Sequence, residues 1–172
     1  IRWDIWRFSN FFFLSCAFFL LSIRWPTLIL PLINPDEAQW ISAAITLLKD
    51  PVFWRSVDCL TSGPLNIYPF VLPALFGFKI EYASVRLIGI ALVVLSLFLL
   101  YVSLRYLYGR PLARLACLPI VVYQSTLFYR DFKFFSSEYV SVVLLSGALL
   151  LLVKYYCQGT KSSNVQLFFF GF

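Results

Sequence analysis

Residues 84–108, SVRLIGIALVVLSLFLLYVSLRYLY, carry charge only at Arg86 and Arg105, and a run of that length and apolarity decides most of what the chain can be. Inside a bilayer no water reaches the peptide N–H and C=O groups, so a segment that enters it satisfies them internally, as a helix does. About 20 residues of helix cross a hydrocarbon core of ~30 Å. Further runs of this kind read as spans over 8–23, 112–129 and 138–156, and another opens near 165. The expected fold is all-α: a polytopic transmembrane helical protein forming a single domain over residues 1–172.

Composition agrees. Of the 172 residues 61% are hydrophobic and 13% charged, with a mean hydropathy of +0.84; soluble domains carry about 25% charged residues. Little chain remains for a soluble domain. The net charge of +6 comes from Arg and Lys placed singly beside apolar segments, which excludes the dense basic run of a nucleic-acid binder. Histidine is absent, and Cys16, Cys59, Cys117 and Cys157 follow no metal-ligand spacing and imply no disulfide framework. The basic, apolar start lacks a small-residue cleavage site, so it reads as an uncleaved first span. A first residue other than Met, and a closing VQLFFFGF that reads as the start of a span, lead us to expect a part of a longer protein.

Two stretches are helical but unsuited to crossing. Residues 35–49 carry Trp40, Ile41, Ala44, Ile45 and Leu48 at helical spacing among polar neighbours. Residues 64–78 are apolar but hold three prolines. Both are expected as interfacial helices in the first extracytoplasmic loop, with Arg24 and Trp25 as interfacial anchors at the end of the first span and Pro26 and Pro31 ending its helix. Basic residues then set the topology. Arg2 and Arg7, the group Arg105, Arg110 and Arg114, and Lys154 with Lys161 all fall on the cytoplasmic side only if 64–78 does not cross. Asp36 and Glu37, and the loop at 129–138, then share the outer side.

In the outer loop, Asn34 suits an N-cap, Pro35 the first helical position, and Glu37 the third residue of a capping box. Acidic residues in a first turn also complement the helix dipole. On local physics alone, Asp36 and Glu37 are a well-made helix start.

Taken in order, NPDEAQW, DCLTSGPLNIYPF, ASVRLIGI and DFKFFSSEYVSVVLL resemble the beginning of the GT-C membrane glycosyltransferases. More narrowly, they resemble the bacterial protein mannosyltransferase and aminoarabinose transferase group, the glycosyltransferase family 39-like proteins. The resemblance covers nearly the whole chain, and implies about the first third of a protein with roughly a dozen spans. It implies an inverting hexosyl or pentosyl transferase in a bacterial plasma membrane. Such an enzyme moves a sugar from a polyprenyl-phosphate donor to a lipid, glycan or protein acceptor on the extracytoplasmic face.

An acceptor hydroxyl is a poor nucleophile and needs a carboxylate to take its proton. The resemblance assigns Asp36 that role, with Glu37 capping the helix and holding Asp36 in place. Arg130 and Lys133 are the candidates for the lipid phosphate, and Asp58, Thr61, Ser62 and Asn66 for hydrogen bonds to the sugar. Trp40, Trp54 and Tyr68 are of the type that stacks on a sugar face. Asp131 and Glu138, with Asp36, offer the oxygen ligands that suit Mg or Mn, although the resemblance itself implies no metal. Each has a plainer explanation as an interfacial anchor, turn or helix start, and Gln124 and Ser125 are expected to bond a neighbouring helix. The rival reading is a non-catalytic transmembrane subunit, a truncated relative packing in a larger membrane complex. Partners are then a lipid-linked sugar donor, membrane lipids or other membrane subunits, and no nucleic acid.

Overall fold

The apolar runs do form helices. A computed structural model describes residues 4–29, 34–58, 63–126 and 134–158, with side chains between 11 and 157. Among these residues the order is α1 (Asp4–Ile29), α2 (Pro35–Leu47), a 3-10 turn (Pro64–Asn66), α3 (Tyr68–Leu75), α4 (Tyr82–Tyr108), α5 (Arg110–Thr126) and α6 (Glu138–Gln158). The described residues contain no β-strand, only an isolated bridge between Phe53 and Val57. Among the described residues three helices are long and apolar enough to cross a membrane: Phe11–Ile29, Tyr82–Tyr108 and Glu138–Cys157, with mean hydropathies of 1.7, 2.8 and 2.0. The part of the expected span 112–129 that is described lies in α5, while the segment from 165 lies outside the described residues.

Helix α4 is the centre: α1, α5 and α6 all pack on it, and α1 also meets α5. Phe12 and Phe13 of early α1 stack edge-on or tilted with Phe98 and Tyr101 of late α4, at centroid distances of 4.9 to 5.8 Å. Arg114 of early α5 lies 5.8 Å from the Phe12 ring. At the opposite end, late α1 meets early α4 through Arg86 and Thr27. Thus α1 and α5 run antiparallel to α4. Helix α6 starts beside the first turns of α4 and runs parallel to it. Gly109, with φ of 81°, makes the reversal from α4 to α5; a glycine takes this left-handed conformation without the Cβ clash of other residues.

The short helices stay at one end. The 3-10 turn and the 8-residue α3 are far below the length of a span, and α3 packs on α2 and α4. Trp40 of α2, Phe70 of α3 and Phe135 before α6 form one aromatic cluster, with centroids 4.5 to 6.2 Å apart. Arg105, Arg110 and Arg114, which close α4 and open α5, lie at the other end.

Two local expectations differ from the structure. Helix α1 continues through Pro26 to Ile29. Proline removes one donor, but a helix in apolar surroundings survives this where neighbours satisfy the freed groups. Beyond the proline, Thr27 Oγ1 donates to the Arg24 carbonyl at 2.6 Å, and Arg86 Nη1 ties the last turn of α1 to α4 through the Thr27 carbonyl at 2.7 Å. Helix α2 buries Glu37, Trp40, Ala43 and Ala44, while Ile45 and Leu48 are exposed. Its inward stripe is therefore rotated from the expected one, because a charged residue heads it.

The α4–α6 seam depends on Gly89. A Cβ there would stand 3.4 Å from Phe135 Cδ2 and Tyr139 Cε2, close approach of the kind small residues give between membrane helices. Gly89→Ala is expected to be tolerated, since that distance is ordinary contact. Gly89→Leu is expected to destabilise by about 1–3 kcal/mol through overpacking. Thermal melts of both variants in detergent check this, and equal melting temperatures would show that the seam is loose.

Candidate functional site

The start of α2 is built from its cap outward. Asn34 has extended backbone angles, φ of −99° and ψ of 122°, and its side chain accepts from the Asp36 amide at 3.1 Å, with Pro35 next in line. This is a side-chain N-cap. Adjacent helical residues point about 100° apart, so Asp36 and Glu37 diverge. Asp36 is exposed, and among the described residues its carboxylate receives no hydrogen bond. Glu37 is 0% exposed.

Glu37 does not close a capping box. Its Oε2 accepts from Arg86 Nε at 3.0 Å and Nη2 at 2.9 Å, and its Oε1 accepts from the Phe135 amide at 2.8 Å. Arg86 is 2% exposed, donates through Nη1 to the Thr27 carbonyl at 2.7 Å, and has its guanidinium 4.3 Å from the Phe134 ring centroid and 5.3 Å from that of Tyr82. The pair thus fastens late α1, early α2, early α4 and the segment entering α6. A buried ion pair offsets its desolvation only when its remaining hydrogen bonds are made, and both Glu37 oxygens are engaged here.

Arg24 departs from the expected exposed anchor. It is 5% exposed and donates to the Gln124 carbonyl from Nε at 3.0 Å and Nη2 at 2.7 Å, with Nη2 also 3.1 Å from Gln124 Oε1. Gln124 therefore joins two helices, as expected, whereas Ser125 Oγ turns back to the Val121 carbonyl of its own helix at 2.7 Å. Arg86 is the residue sequence reasoning passed over, and Arg24 the one it took for an interfacial anchor. The available signal was a charge set inside an apolar run, which in a membrane helix marks a buried partner.

The remaining candidates fall in several places. Asp58 is exposed, and Asn66 is buried in the 3-10 turn. Glu138 opens α6, exposed, and accepts from Ser136 Oγ and, at 3.2 Å, from Ser137 Oγ, which is a helix-start arrangement at the Asp36 end of the bundle. Thr61, Ser62, Arg130, Asp131 and Lys133 lie outside the described residues. Among the described residues no group of three His, Cys, Asp or Glu side chains could hold a metal ion. Trp40 is 6% exposed inside the aromatic cluster, so it offers no face to a sugar. Trp54 and Tyr68 do remain exposed, at 75% and 50%, with Phe53 between them at 6.1 and 5.6 Å.

The arrangement gives one fixed carboxylate and one free one. Glu37→Gln or Arg86→Gln should each destabilise by roughly 3–5 kcal/mol, because each leaves a buried partner uncompensated. The double variant Glu37→Leu/Arg86→Met should lose much less than the sum of the two. Melting in detergent measures all of these; additive losses would show that the pair is not coupled.

In comparisons with known proteins no family model matches the chain, and no curated protein or solved structure matches it.

Proposed function

We propose that this chain carries the base-bearing outer loop of a membrane glycosyltransferase, which moves a sugar from a polyprenyl-phosphate donor to a lipid, glycan or protein acceptor at the extracytoplasmic face of a bacterial plasma membrane. The observation that carries the reading is the divergence of Asp36 and Glu37. One carboxylate is locked into the bundle, and its neighbour is capped in position yet open to an acceptor. Asp36 takes the acceptor hydroxyl proton as oxygen bonds to the anomeric carbon, and the lipid phosphate leaves. Arg130 and Lys133 are the candidates to offset its charge, and Asp58, Thr61, Ser62 and Asn66 those to hydrogen-bond the sugar. Asp131 and Glu138 with Asp36 are the oxygen ligands that would hold Mg or Mn, which would supply charge stabilisation for the leaving phosphate. Exposed Trp54, Leu65, Leu72, Phe76 and Phe78 beside α3 support an interfacial seat for this end.

One observation favours the rival reading of a non-catalytic subunit. Only 6% of the α6 span is buried, with Leu144, Leu145 and Tyr156 widely exposed, a face suited to packing against other membrane helices.

Asp36→Asn keeps size and helix-start compatibility while removing the base. In membranes supplied with radiolabelled polyprenyl-phosphate sugars it should lower transfer by a factor of about 100 or more, at unchanged melting temperature. Transfer near the parent rate would reduce Asp36 to a helix-start residue.

The orientation has its own test in a background with the native cysteines replaced. Single cysteines at positions 36 and 58 should react with an impermeant maleimide from outside intact cells, and one at 110 only after permeabilisation. Outside labelling at 110 would invert the assignment.

A further inference from the structure

Among the described residues the buried polar side chains at the Asp36 end are Arg24, Asn34, Glu37, Asn66, Arg86, Ser125 and Ser136, two cations and one anion. Glu37 is taken by Arg86. Arg24 forms no ion pair among the described residues, and its contacts there are the neutral oxygens of Gln124. These use Nε and Nη2. The remaining nitrogen, Nη1, has no hydrogen-bond partner among the described residues, and it is not sealed away like the Trp40 indole nitrogen. Burying a cation without its counter-charge is expensive, and a charged residue in a membrane helix marks a binding function with a definite partner.

The surroundings say what kind of anion reaches it. Trp25, next in sequence, is 58% exposed, the residue type that sits at headgroup level. Ile23, on the other side, is 40% exposed. Five residues separate Arg24 from the end of α1 at Ile29, about 7.5 Å along a helix axis. Below this level the α1–α4 seam opens into a groove of about 430 Å³ whose lining includes Ala17, Leu21, Leu87 and Ala91, all apolar. A cation at headgroup depth above an apolar groove matches an amphiphile with an anionic head and a hydrocarbon tail. A guanidinium fork is also better suited than an ammonium to a phosphate.

We propose that Arg24 binds the phosphate monoester of a membrane lipid, whose chain lies in the α1–α4 groove. The inference goes beyond the glycosyl-transfer reading and stands without it, because it rests on the charge balance of the buried layer and on the groove. Nη1 donates to a phosphate oxygen while Gln124 holds the other side of the guanidinium. The lipid supplies the counter-anion that Arg24 does not find among the described residues.

The full chain in detergent, as wild type, Arg24→Gln, Arg24→Lys and Gln124→Ala, would be titrated with dioleoyl phosphatidic acid, undecaprenyl phosphate and dioleoyl phosphatidylcholine, with bound lipid counted by native mass spectrometry. Wild type should bind at least one phosphate monoester ten-fold or more tighter than phosphatidylcholine, and which of the two prevails identifies the source. Arg24→Gln should lose that preference, Arg24→Lys should keep part of it, and Gln124→Ala, which leaves the cation in place, should keep most. Equal binding of the three lipids by wild type, or an unchanged preference in Arg24→Gln, overturns the proposal. Should Arg24→Gln fail to fold, phosphatidic acid with brominated chains decides. It should quench tryptophan emission more in wild type than in Trp25→Phe, while brominated phosphatidylcholine at the same mole fraction should not. Equal quenching by both lipids overturns the proposal. Sugar transfer assayed in parallel separates the two readings: lipid selectivity without transfer removes only the enzyme, and transfer without selectivity removes only this site.

Discussion

A buried ion pair organises the Asp36 end of this molecule. Glu37 and Arg86 are 49 residues apart in sequence, and the Phe135 amide that completes the Glu37 shell is 98 residues away from it. Removing water from two charges is costly enough that such a pair survives only with its geometry intact. Every segment that supplies a partner is therefore held in register. The end of α1 is fixed by its Thr27 carbonyl, α2 by its first turn, α4 by Arg86, and the entry to α6 by a backbone amide. The aromatic cluster of Trp40, Phe70 and Phe135 closes over the same point and excludes water from it.

That constraint gives Asp36 its significance. A residue on a short loop helix would ordinarily share the mobility of its loop. Asp36 instead sits one residue from a side chain anchored to two other helical regions, with its amide capped by Asn34. A general base needs both freedom from competing partners and a fixed position. In the proposed transferase the adjacent carboxylates divide these needs: Glu37 supplies the position, and Asp36 retains a carboxylate unengaged among the described residues. The same end gathers Glu138, Tyr68 and Trp54, whereas Arg105, Arg110 and Arg114 occupy the opposite end of the helices.

Much of this was legible in the sequence, and what was not has a common cause. Apolar runs gave the long helices because the backbone has few alternatives in apolar surroundings. The prolines and shortness of 64–78 already pointed to the short helices found there, the 3-10 turn and the 8-residue α3. The Asn34 cap was readable because capping is local. Glu37 was misread as part of that cap because its true partners come from distant segments, and a local rule cannot register them. Pro26 was read as a helix end, but the loss of one donor does not stop α1 from continuing to Ile29. Arg24 was read as an exposed anchor because nothing in its neighbours along the chain points to Gln124, 100 residues away. Where residues act through tertiary partners, the sequence offered only the placement of charge within apolar stretches.

The central claim is that neighbouring carboxylates are in opposite states, one locked and one open. The most direct measurement is carboxylate footprinting of the folded protein with a water-soluble carbodiimide and a small amine, read by peptide mass spectrometry. The account predicts rapid modification at Asp36 and protection at Glu37 until the protein is denatured. Equal modification of both in the folded state would contradict it.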